Sequence, residues 1–160
     1  MNTTINNILE ISRWTSIAIG IFLAMLWGND PVQQFSIITA FAVIFIAGLT
    51  GIESIFFSES ASEQSGYKGG REYQRQSGAN NIALAITAIL VYLLGWGYYA
   101  QLTIMSVLII FLALSGTNHA YSAIKESNHT IKNMSRPIIT IVFLVMLLFF
   151  MLNSIYYPLT

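Results

Sequence analysis

Residues 35–57, FSIITAFAVIFIAGLTGIESIFF, hold one ionisable side chain, Glu53. A helix needs about 20 mostly apolar residues to cross a hydrocarbon layer of roughly 30 Å, because lipid leaves every backbone polar group to be satisfied within the helix itself. This stretch meets that requirement. Three more do so further along, at 79–99, 102–124 and 138–157. An earlier run, 8–27, is long enough only if Glu10 and Arg13 occupy its first turns, where Arg13 can extend its head group to the interface. The expected fold is an all-α polytopic membrane bundle of five transmembrane helices, with four spans plus an interfacial N-terminal helix as the alternative. Residues 1–160 then form a single integral membrane domain.

Composition agrees with that reading. Over 160 residues 55% are hydrophobic and only 9% charged, more apolar side chain than a water-soluble domain of this size can bury. Seven cations balance seven acids, so no basic field exists to hold nucleic acid, which is not an expected partner. The absence of cysteine excludes disulfides and thiolate-ligated metals. The start, MNTTINNILEISRW, lacks the basic opening and small-residue cleavage site of a signal peptide, so the first apolar run is read as retained.

The links between spans give a topology. Gly28-Asn29-Asp30-Pro31 suits a tight turn with Asp30 as cap and Pro31 as first residue of the next helix, and Gly95-Trp96-Gly97 can reverse the chain. Neither carries a cation. The other two links hold Lys68, Arg71, Arg75, Lys125, Lys132 and Arg136, and Arg13 opens the first span. With five spans all seven cations gather at one face, which the positive-inside rule makes cytoplasmic in a cell inner membrane, with the N-terminus inside and the C-terminus outside. The aromatics Trp27, Trp96, Tyr98, Tyr99, Tyr156 and Tyr157 fall at the opposite interface. The polar link 58–77, SESASEQSGYKGGREYQRQS, is too long for a simple turn and is expected to fold over the cytoplasmic mouth, as a lid or only a linker. The sequons at Asn128 and Asn133 lie on the cytoplasmic side in this topology and are assigned no role.

Polar side chains within spans are costly and mark candidate sites. The spacing of Thr39, Thr50 and Glu53 places all three near one helical face. Asn80 and Asn81 open the third span, Ser115 to His119 lie one to two turns from the end of the fourth, and Arg13 sits at the matching end of the first. At about 1.5 Å per residue, Arg13, Glu53, Asn80 and His119 fall within one turn of the same depth. Such a layer could bind a cation through Glu53 and His119, relay a proton between them, or hold the polar head of a lipid-like molecule. The plainer readings are an Arg13–Glu53 structural ion pair, capping by Asn80 and Asn81, and a His119 bond to a backbone carbonyl. One His and one Glu are too few for an expected metal site. No G-x-S-x-G, H-E-x-x-H or phosphate-binding glycine loop occurs, so no cofactor is expected.

Phe56-Phe57, Gly66-Tyr67 after eight residues, Tyr73-Gln74 after five more, and Gly78 followed by Asn80 resemble the signature of a family of small prokaryotic integral membrane proteins known only as a domain of unknown function. Gly116 to His119 with Ala120-Tyr121, and the last apolar helix after a short basic loop, are similar to that family's later blocks. Tyr67 stands where the family's tryptophan is expected, and 68–72 lacks the family's prolines. The resemblance covers about two-thirds of the chain. It implies membrane location and no established activity, and its motif positions Gln74, Asn80, Gly116 and His119 coincide with the polar layer. The candidate ligand-binding set is Arg13, Glu53, Gln74, Asn80, Asn118 and His119.

Three functions remain open from the sequence. Binding or transport of an ion, proton or small amphipathic ligand at the polar layer ranks first. Transport in 160 residues without an inverted repeat would call for a homo-oligomer. A structural or assembly subunit docking a larger membrane partner ranks second. An intramembrane enzyme acting on a lipid or quinone, with His119 as acid or base and Glu53 orienting it, ranks last. Membrane lipid is the common partner in all three.

Overall fold

The computed structural model describes residues 2–66 and 71–157. Within them the chain forms six helices: α1 (Asn2–Trp27), α2 (Pro31–Phe56), α3 (Ser58–Ser65), α4 (Arg71–Leu93), α5 (Tyr98–Lys125) and α6 (Ile131–Tyr156). All but the short α3 are long and apolar enough to cross a membrane, which is the architecture of a five-span multi-pass bundle. α1 qualifies over Thr4–Trp27, with Glu10 and Arg13 inside the helix and each ion-paired. The signature position Tyr67 and its neighbours Lys68, Gly69 and Gly70 lie outside the described residues.

Local chemistry accounts for the turns at the end opposite the cations. The Asp30 side chain accepts from the Gln33 backbone N–H at 2.8 Å, and Pro31 opens α2, the cap and first position that their side chains favour. Between α4 and α5 the chain reverses through Gly95 (φ +62°) and Gly97 (φ +85°), conformations that glycine adopts without a Cβ penalty. The reversal comes earlier than the apolar run suggested: α4 ends at Leu93 and extends at its other end back to Arg71. The link expected over 58–77 is thus largely helical, with α3 at its start and the first turns of α4 at its end.

α2 is the central helix and packs against α1, α4, α5 and α6. Its side chains Phe35, Ile38 and Val43 meet Met105 and Leu108 of α5 and Leu147 of α6 in the buried core. Outward, Ile141, Val142, Val145 and Phe149 of α6 and Ile19, Phe22 and Met25 of α1 are exposed, a lipid-facing surface. α2 and α4 cross where two glycines meet. A Cβ on Gly51 would sit 2.9 Å from the Gly78 carbonyl oxygen, and one on Gly78 would sit 3.0 Å from that of Gly51. Small residues allow this backbone approach.

One feature of α2 departs from an ideal helix. Residues Ala42–Ala47 form a π-helical stretch, whose i→i+5 bonding winds more residues into each turn. Thr39 and Thr50 are eleven residues apart, within about 20° of one another around a regular α-helix. The wider stretch between them breaks that register. Thr50 and Glu53 bond Arg13 of α1, whereas Thr39 is fully buried beside Tyr92 of α4, so Thr39 does not share the polar face expected of it.

α6 begins at Ile131 and runs through Pro137, earlier than the apolar run that starts at 138. Proline removes one helix hydrogen bond. Side-chain contacts from the first two turns hold that segment in place nonetheless: Asn133 donates to the Asn128 carbonyl, and Lys132 and Arg136 pair with Glu10.

Candidate ligand cavity at the cation-rich end

Five charged side chains meet where α1, α2 and α6 converge, and they alternate in sign. Arg13 donates to Glu53 Oε2 at 2.5 Å. Lys132 lies 3.6 Å from Glu53 Oε1 and 3.3 Å from Glu10 Oε2, and Arg136 donates to Glu10 Oε1 at 3.1 Å. Arg13 also donates to Thr50 Oγ1 at 3.0 Å and to the Leu9 carbonyl at 3.4 Å. The order Arg13, Glu53, Lys132, Glu10, Arg136 starts and ends on a cation. The side chains of Arg13 and Glu53 are 10% and 7% exposed, so this pair is removed from water and depends on its partners for charge compensation.

The network lines a cavity of about 210 Å³. Around it stand His119 and Ser115 from α5, Gln74, Ser77 and Asn81 from α4, Thr50 and Ser54 from α2, and Thr140 from α6. Further from the charged end the lining turns apolar, with Trp14, Ile17, Ile46, Phe111, Leu112, Ile139 and Phe143. Trp14 and Phe143 stack with centroids 4.8 Å apart. That contact and the Glu10 ion pairs bridge α1 to α6, whose described backbones do not otherwise pack. The cavity therefore joins a charged floor to an apolar wall beside a helix pair held together by side chains alone.

α3 reaches the cavity lining. Asn6 of α1 donates to Ser60 at 2.9 Å, and Ala61 lines the cavity. The helix ends at Gly66 in the left-handed conformation, φ +69°, where a Cβ would lie 2.3 Å from Asn128 Oδ1 in the α5–α6 turn. Only glycine fits both the backbone and the space.

His119 is oriented by Asn133, which is fully buried. Asn133 Nδ2 points at the carbonyls of Asn128 (2.8 Å) and His119 (3.4 Å), so its Oδ1 faces His119 Nδ1 at 2.8 Å as an acceptor. The imidazole must then carry its proton on Nδ1, which leaves Nε2 the acceptor in the neutral ring.

Of the residues singled out in the sequence, Arg13, Glu53, Gln74 and His119 line the cavity. Asn80 and Asn118 are exposed and do not. The α4 amide in the lining is Asn81, which stands seven residues from Gln74 and four from Ser77 on one helical face. The spacing i, i+3, i+7 pointed to Asn81 rather than its neighbour. Glu10, Lys132 and Arg136, like Asn81, were not in the candidate ligand-binding set. Their signal was the same periodicity: Glu10 is one turn from Arg13, and Lys132 is one turn from Arg136. Asn133 carried no sequence signal beyond its sequon.

A family model matches residues 14–156. The chain belongs to the family of unknown function DUF6790. The match reaches further towards the N-terminus than the motif resemblance did, beginning at Trp14 and so taking in the later part of the first span and the other four. No curated protein and no solved structure matches it. Among the described residues, no group of three or more His, Cys, Asp or Glu is arranged to hold a metal ion.

Proposed function

We propose that this protein binds a small amphipathic ligand, head group first, in the cavity at its cation-rich end, and that this end faces the cytoplasm. The observation that carries the reading is the lining itself: a charged floor continuous with an apolar wall that runs towards the membrane interior. Ile17, Ile46, Leu112 and Phe143 stand four to seven residues deeper along their helices than Arg13, Glu53, His119 and Arg136, or roughly 6–11 Å at the helical rise. A molecule with a polar head and a hydrocarbon tail matches that gradient. A bare cation does not, since both carboxylates are already flanked by two cations each. The His119–Glu53 proton relay loses support for a related reason: Asn133 orients His119, and Glu53 is held by Arg13. The bias of Lys and Arg to one set of helix ends supports the cytoplasmic placement.

Native mass spectrometry of gently extracted protein tests this. A discrete lipophilic mass should accompany the wild type and disappear in Ser115→Phe, which fills the cavity and keeps every charge. Bare protein in all wild-type preparations, or an adduct indifferent to Ser115→Phe, would overturn the proposal.

A further inference from the structure

The charges lining the cavity do not balance. Arg13, Lys132 and Arg136 face Glu10 and Glu53, three cations to two carboxylates. Lys132 bridges both acids, while each arginine stands at an end of the alternating chain with one carboxylate beside it. From this we infer that the head group bound here is a singly charged oxyanion, a carboxylate or a phosphate diester; the inference rests on the amphiphile-binding reading above. Within a bundle in lipid an unbalanced charge is costly, so one added negative charge relieves a penalty that a neutral or cationic head group leaves or worsens. The donors are of the right kind. A guanidinium offers five N–H groups in a planar fork that matches carboxylate and phosphate oxygens, and the bond from Arg136 to Glu10 uses one of them.

Trp14 stands in the cavity lining, stacked on Phe143.

Trp14 reports on the site directly. With Trp27 and Trp96, both exposed at the opposite end of the helices, replaced by Phe, the protein in phosphatidylcholine nanodiscs is titrated with decanoate, decanol and decyltrimethylammonium, and separately with acetate and inorganic phosphate. Decanoate should change Trp14 emission saturably and bind roughly tenfold or more tightly than the other two amphiphiles, the scale expected for one compensated charge at a partly screened site. Arg136→Gln should erase that preference and keep the decanol affinity. Decanol equal to decanoate, or decyltrimethylammonium tighter than either, overturns the oxyanion assignment and leaves the amphiphile cavity standing. Acetate or phosphate binding as tightly as decanoate keeps the assignment and removes the amphiphile reading. A Trp14 signal that saturates with none of the probes overturns both. The ratio among the three amphiphiles needs no substitution in the charged lining, so a variant that fails to fold leaves the decision to that ratio.

Discussion

Removing either member of the Arg13–Glu53 pair perturbs the alternating chain in opposite senses, and the two variants should differ in cost. Glu53→Leu leaves Arg13, Lys132 and Arg136 against Glu10 alone, raising the local excess from one positive charge to two. Arg13 is then left 10% exposed without its carboxylate, and breaking a buried pair in this way costs about 3–5 kcal/mol. Arg13→Met instead leaves two cations against two acids, and Glu53 retains Lys132 at 3.6 Å. Its cost is the lost charge-assisted hydrogen bond, about 1.5–3 kcal/mol. The double variant Arg13→Met with Glu53→Leu restores the original excess of one and removes the desolvation of both groups, and should lie near the wild type or up to about 1–4 kcal/mol above it. Equilibrium unfolding in detergent micelles, followed by tryptophan emission, measures all three against the wild type. Additive behaviour would put the double variant about 4.5–8 kcal/mol below wild type, and that result, or Arg13→Met costing more than Glu53→Leu, would refute the charge-balance argument.

Three further outcomes follow from the geometry. Gly78→Ala puts a Cβ 3.0 Å from the Gly51 carbonyl oxygen and 2.8 Å from Ile55, so the α2–α4 crossing must open at a cost of about 1–3 kcal/mol; the unfolding midpoint should fall, and an unchanged midpoint would show that the crossing gives freely. Gly66→Ala meets both a left-handed backbone and Asn128, costing about 1–2 kcal/mol for the backbone alone; amide exchange over Ser58–Ser65 should accelerate while the core of α2 stays protected, and uniform protection would argue against α3 being pinned at that point. Asn133→Leu removes the bonds that Asn133 makes to the Asn128 carbonyl and the His119 ring, each worth about 0.5–1.5 kcal/mol net; nitrogen NMR of His119 should show the Nδ1–H tautomer in the wild type and its loss in the variant, and a wild-type ring protonated on Nε2 instead would contradict the assignment.

The sequence by itself determined four of the spans, the two turns remote from the cations and the depth of the polar layer, and left the first helix open between a span and an interfacial position. Each depends on neighbours along the chain: an apolar run long enough for the hydrocarbon layer, an Asp-Pro pair that caps and starts a helix, glycines that accept positive φ, and a rise per residue that sets depth without any knowledge of direction around the helix. Direction was what tertiary structure decided. The π-helical stretch Ala42–Ala47 turned Thr39 away from Thr50 and Glu53, and no local propensity in AVIFIA announces it. Depth could not separate Asn80 from Asn81, because adjacent residues differ little in rise and by about 100° in azimuth. Lys132 and Arg136 read as loop cations, yet they lie within α6, where Glu10, more than 120 residues earlier, is within 3.1–3.3 Å of them. Which charges compensate one another is a property of helix packing, and it sets the cavity's excess of one positive charge.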